Sequence, residues 1–167
     1  EWGYYYPSTN IATFRYKVVM TNPNFVMTSD TLHYNTKTEI ADIVGPTDII
    51  YDQETHIYSE KGWYDTRREY SELLDNSYIE HQDTKRLTGD SILYDKPSGF
   101  AWAFQNVELA DTLKDVSLFG HYGYYNEITK IGLATDSAMM IEYSSADTLY
   151  LHADTLFLSP DSTFNVI

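Results

Sequence analysis

Cysteine is absent from this chain of 167 residues. That excludes disulfides, thiol chemistry and cysteine-ligated zinc, and leaves the redox compartment open. Positive charge is scarce: eleven Lys and Arg stand against twenty-five Asp and Glu, a formal net charge of -14. So acidic a chain repels the phosphates of nucleic acid and of an anionic membrane surface, so nucleic acid is not an expected partner and the charge serves solubility. No apolar run approaches the roughly 18 residues a membrane helix needs, and no signal peptide is visible. The chain opens at Glu1 and stops at Ile167 just after a fifth repeat has begun. It reads as one domain, 1–167, cut from a longer protein, so the missing signal says little about location.

Catalytic and cofactor motifs are missing as well. The sequence holds no HExxH, GxSxG, phosphate loop or dinucleotide fingerprint, and the five histidines have no ligand-like spacing. With so many acids some pair always fits a glycosidase separation, so that pattern discriminates nothing. The chain is expected to be no enzyme and to need no metal or cofactor.

What is abundant is tyrosine, sixteen of them, among Val, Ile and Thr that favour strands. They recur in order. Units centred on Tyr34-Asn35, Tyr64-Asp65, Tyr94-Asp95 and Tyr125-Asn126 are followed by a fifth in which Leu158-Ser159 takes the same place. A period near 30 residues marks stacked units that cannot bury their cores alone. Residues 1–16, rich in aromatics, form an opening or cap.

The columns carry the expectation. Seven residues before each anchor stand Met27, Ile57, Leu87, Leu118 and Leu151, all apolar. Five before it stand the small residues Ser29, Ser59, Gly89, Gly120 and Ala153, each followed by Asp30, Glu60, Asp90, His121 or Asp154. Six after it stand Ile40, Tyr70, Phe100 and Ile131, then small residues again, then turns at Gly45-Pro46, Asp75-Asn76, Gln105-Asn106 and Asp136-Ser137. Strand side chains alternate with period two, so a separation of seven demands a phase shift, placed at the small-acid pair as a bulge or corner. After each anchor an Asx residue opens a polar turn, bonding its own backbone. Arg67–Leu74 would pass as a helix on propensity, but its alignment with the strand-like 37–44 and 97–104 makes it strand. The acidic column reads as a calcium ladder or as corner chemistry, and the tyrosine column as stacked core or as a ligand-binding face.

These motifs resemble the OstA-like family, which includes the periplasmic lipopolysaccharide-transport proteins LptA and LptC and the N-terminal domain of LptD. The carriers are the small-acid pairs Ser29-Asp30, Gly89-Asp90 and Ala153-Asp154 and the four Tyr-Asx pairs, covering roughly residues 17–160. The resemblance implies an all-β, repeat-built β-jellyroll, or β-taco, with a hydrophobic groove for the acyl chains of lipopolysaccharide or a related envelope lipid. It implies periplasmic residence and end-to-end docking to other OstA-like modules. The expected groove residues are Met27, Leu32, Tyr34, Ile57, Tyr64, Leu87 and Ile92, followed by Tyr94, Phe100, Leu118, Tyr125, Ile131, Leu151 and Leu156. Two other classes compete: a structural or adhesive β-repeat with a packed interior, and a carbohydrate-binding module using Trp2, Tyr5 and Trp102.

Overall fold

A computed structural model describes residues 2–143 and 147–160 and the backbone of 162–166. Among these the chain is all strand and turn. The first seven strands are β1 (Trp2–Tyr6), β2 (Ile11–Thr21), β3 (Phe25–Asn35), β4 (Ile40–Ile43), β5 (Thr47–Tyr51), β6 (Thr55–Ser59) and β7 (Lys61–Asp65). The next seven are β8 (Tyr70–His81), β9 (Lys85–Asp95), β10 (Phe100–Asp111), β11 (Val116–Asn126), β12 (Ile131–Glu142), β13 (Leu149–Ser159) and β14 (Ser162–Val166). All fourteen belong to one antiparallel sheet that follows chain order, with β5 and β6 bridging β3 and β8. The helix-prone stretch is strand from Tyr70 onward, as expected.

Each long strand bends once, so the sheet folds on itself into two leaves. The phase shift lies where the sequence places it: Met27 and Ser29 face inward, then Leu32, one position out of step, does too. The device is shared between strands. Opposite the single residue Asp30, strand β2 carries two residues, Tyr16 and Lys17, both with left-handed backbone. Asp75-Asn76 in β8, Gln105-Asn106 in β10 and Asp136-Ser137 in β12 repeat the arrangement. Two residues opposing one bend and twist the sheet, and Asn and Asp tolerate the left-handed region better than most. In the first repeat Gly45-Pro46 breaks the strand outright, giving β4 and β5. The positions read as turns between strands are therefore corners of the spine. The hairpins lie at the outer rims, where Asn35, Asp65 and Asn126 each accept two backbone N–H bonds. Asp95 instead accepts from Ser98 Oγ at 2.6 Å, since the following Pro97 has no N–H to give.

Two inward rows run across the folded sheet, one per leaf. On the first, the register couples Tyr34, Tyr64, Tyr94 and Tyr125 to Ala12, Ala41, Ser71, Ala101 and Gly132, large and small in strict alternation. Neighbouring strands lie about 4.8 Å apart, so small residues between the rings give each ring two strand widths. On the second leaf Met27, Ile49, Ile57, Ile79, Leu87, Leu109, Leu118 and Met140 form an unbroken aliphatic row. These two rows meet to form the core.

Candidate functional site

The expected groove residues mostly converge. Met27, Leu32, Ile57, Tyr64, Leu87, Ile92, Tyr94, Leu118, Tyr125 and Leu156 are buried in the seam, and Tyr34 and Leu151 pack against it half-buried. Phe100 and Ile131 do not join them. Phe100 lies on the outer face, stacked on Trp102 with centroids 5.1 Å apart and planes within 8°, and Ile131 is 37% exposed. The reason is the large-small row: the seventh residue after the anchor faces inward because only a small side chain fits between two rings, which turns the sixth outward. Half of the aliphatic row is absent from the sequence reading. Ile49, Ile79, Leu109 and Met140 each lie fifteen residues after their anchor tyrosine, a column that was there to be counted.

The seam is packed for most of its length. Phe25 of the aliphatic leaf meets Tyr64 of the tyrosine leaf edge-on, centroids 5.2 Å apart, and the Tyr51 and Tyr64 hydroxyls touch. Burial pushes the Tyr51, Tyr64 and Tyr94 hydroxyls up, so all three stay neutral. Farther along, Gly132 lies so close to Leu109 that a Cβ there would overlap the Leu109 side chain.

The mouth opposite the spine is held by polar groups from both rims. Glu127, 8% exposed, reaches from its Asx turn to Thr55 Oγ1 at 2.9 Å on the facing rim. It also accepts from Lys96 Nζ at 2.7 Å and from the Tyr94 hydroxyl at 3.1 Å. Lys130 approaches His81 Nε2, and His81 Nδ1 lies 3.1 Å from Thr55 Oγ1. A lysine can only donate, so Nε2 accepts and the Nδ1 proton is shared between Thr55 and Glu127, whose Oε2 lies 3.4 Å from Nδ1, while Thr55 donates its own hydrogen to Glu127. The chain of bonds thus crosses the mouth twice. Burial would raise the Glu127 carboxyl, but hydrogen bonds from His81 and Lys96 and the charge of Lys96 hold it down at about 2. Asn24 to Glu69 at 3.0 Å and Lys114 to the Ser159 carbonyl at 3.1 Å fasten the rims on either side.

The acidic column lies outside the spine. Asp90 accepts Asn106 Nδ2 at 3.0 Å on both oxygens, and Glu60 accepts the Tyr58 hydroxyl at 3.1 Å, so the corner chemistry runs through side chains. Among the described residues no group of three or more His, Asp or Glu is placed to hold a metal ion.

The seam opens at its N-terminal end. There β1 pairs only with Ile11–Arg15, and Val18–Thr21 of β2 has no strand on its outer edge among the described residues. A concavity of about 560 Å³ lies there, and its lining includes Gly3, Tyr5, Ala12, Phe14, Tyr16 and Val18, of which Gly3 and Tyr5 of β1 share a face with Phe14 and Ala12 of β2. Gly3 makes room for the Phe14 ring, since a Cβ would come within 2.9 Å of it.

Fold and site together define a repeat-built β-jellyroll with a closed seam and one apolar open end. Residues 1–71 match the family of OstA-like proteins, the family whose resemblance the repeats carry, and this stretch contains the open end. A solved structure similar over 90% of both chains is LptH of Pseudomonas aeruginosa, described as the LptA-homologous periplasmic component of the lipopolysaccharide transport device, at 12% identity and a TM-score of 0.34. No curated protein sequence matches significantly.

Proposed function

We propose that the chain is a non-enzymatic lipid-handling module of the Gram-negative periplasm. It takes the acyl chains of lipopolysaccharide or a related envelope lipid at its open end, between the two leaves, during outer-membrane assembly. The observation that carries this reading is the apolar concavity at the end of the inward rows, within the stretch that matches the OstA-like family. Each methylene moved there from water gains about 0.8 kcal/mol. Like modules dock end to end through the outer edge of β1 and the edge of Leu149–Ala153 in β13, which carry no partner strand among the described residues and which strand addition would satisfy.

Photo-crosslinking tests it. A benzophenone residue replacing Phe14 should label with lipopolysaccharide at least several-fold above one replacing the outer-face Trp63; equal labelling contradicts the reading. The packed contact of Gly132 with Leu109 favours a second reading, a purely structural β-repeat, which predicts labelling at neither position.

A further inference from the structure

The outer face of the tyrosine leaf changes character along the chain. Its middle row runs by register from His33 through Asp42, Trp63, Glu72 and Leu93 to Trp102, Tyr124, Leu133 and Phe157. The first half carries charge, and there Trp63 Nε1 donates to Glu72 at 2.8 Å. The second half carries none. Across β10–β13 the flanking outward positions are Phe100, Asn126 and Ile131 toward the rim, and Phe104, Tyr122, Thr135 and Thr155 toward the spine. No Asp, Glu, Lys, Arg or His stands among them, in a chain of net charge -14. The outer face of the aliphatic leaf, by contrast, carries Asp48, Glu80, Arg86 and Glu108.

The rings of this uncharged face brace one another. Phe100 stacks on Trp102 and meets Tyr124 edge-on at 5.7 Å, and Phe104 packs on Tyr122 at 5.4 Å. All five are half-buried. Unlike Trp63, Trp102 has no acceptor for its Nε1–H among the described residues, and the Tyr122 and Tyr124 hydroxyls have no partner there either.

Size and charge select the occupant. Strands β10–β13, about 4.8 Å apart, and positions 100–104, about 3.3 Å each, outline a patch of about 300 Å². A stable protein interface takes about 800 Å² from each partner, so this face alone holds neither a second copy nor another protein. An anionic membrane surface repels so acidic a chain. What fits is a small, uncharged ligand rich in hydroxyls. A pyranose sugar sets its C–H groups against aromatic carbon, and its hydroxyls take the free indole N–H and phenol O–H groups. Because the rings already fix one another, little ordering is left to oppose binding.

We infer that the outer face over β10–β13 is a binding site for a neutral oligosaccharide, with Trp102, Tyr122 and Tyr124 as its contact residues. The site lies on the opposite side of the leaf from the seam and does not depend on lipid handling.

The test is calorimetric titration of the full chain with maltohexaose, cellohexaose and mannohexaose as neutral probes. At least one should bind with a Kd in the millimolar range or tighter. Trp102→Ala should weaken that binding at least tenfold, the scale of a lost aromatic anchor. Tyr124→Phe, which keeps the ring and removes one hydroxyl, should weaken it a few-fold, and carries the test if Trp102→Ala fails to fold. Trp63→Ala should leave it unchanged. Binding of none of the three probes, or binding that survives Trp102→Ala at full strength, overturns the sugar site. In place of sugar binding, adsorption to phosphatidylcholine vesicles or self-association, either one lost in Trp102→Ala, would assign the face to a membrane or to a second copy and contradict the proposal.

Discussion

Glu127 accepts a hydrogen bond from Thr55 at 2.9 Å across the mouth of the trough, joining two rims that are 72 residues apart in sequence. Both residues are buried, so the bond closes the seam at its middle. Replacing Glu127 with Ala strands Lys96 and the Thr55–His81 pair without their acceptor. Breaking a buried charged cluster from one side costs about 3 kcal/mol. The midpoint of urea unfolding should fall accordingly, and Glu127→Gln, which keeps an acceptor, should lose less.

The same carboxylate sets an acid limit. Its folded-state value of about 2 lies below the ordinary 4.5, so its stabilisation is fully present above pH 4.5 and fades as pH falls toward 2. The wild type should therefore lose its stability advantage over Glu127→Gln, about 2 kcal/mol, between pH 5 and pH 2. An advantage unchanged at pH 2.5 would show that the carboxylate is not held by these partners.

Gly132 and Leu109 test whether the two leaves touch. Gly132→Ala should destabilise by about 1–3 kcal/mol through overpacking, because its Cβ would overlap Leu109. Combined with Leu109→Ala, the glycine substitution should cost markedly less than alone, a coupling read by a double-mutant cycle. Additive effects would mean that the seam is looser than the structure shows.

The corner at Tyr16 and Lys17 should be a place where stability rises on substitution. Tyr16→Asn relieves a left-handed tyrosine, and thermal unfolding should move to higher temperature, equivalent to about 0.5–1 kcal/mol. The reverse change at the corner of β8, where Asn76 already suits that backbone, should cost stability, so Asn76→Tyr should destabilise.

How much of this was legible in the sequence follows from what repeats. The period, the phase shift at Ser29-Asp30 and its equivalents, and the inward tyrosines were readable because each recurs in several copies. Phe100 and Ile131 were misplaced because an apolar residue beside a small one looks like the core partner; only the register shows that Ala101 and Gly132 fit between two rings. Ile49 and its equivalents were countable but lay beyond the turn, in what read as a separate segment. The mouth cluster could not be read at all. Thr55 and His81 flank the second anchor, Lys96 follows the third, and Glu127 and Lys130 follow the fourth; even the matched places of Lys96 and Glu127, each two residues after its tyrosine, give no sign that the five meet, and only the fold at the spine brings them together.

The open end is the claim on which the functional account stands, and the absence of native cysteine lets a single probe report on it. An environment-sensitive fluorophore on Val18→Cys should shift to the blue when lipopolysaccharide is added, while the same probe on Tyr58→Cys, on the outer face of the aliphatic leaf, should not. Equal shifts at the two positions, or none at Val18→Cys, would contradict the account.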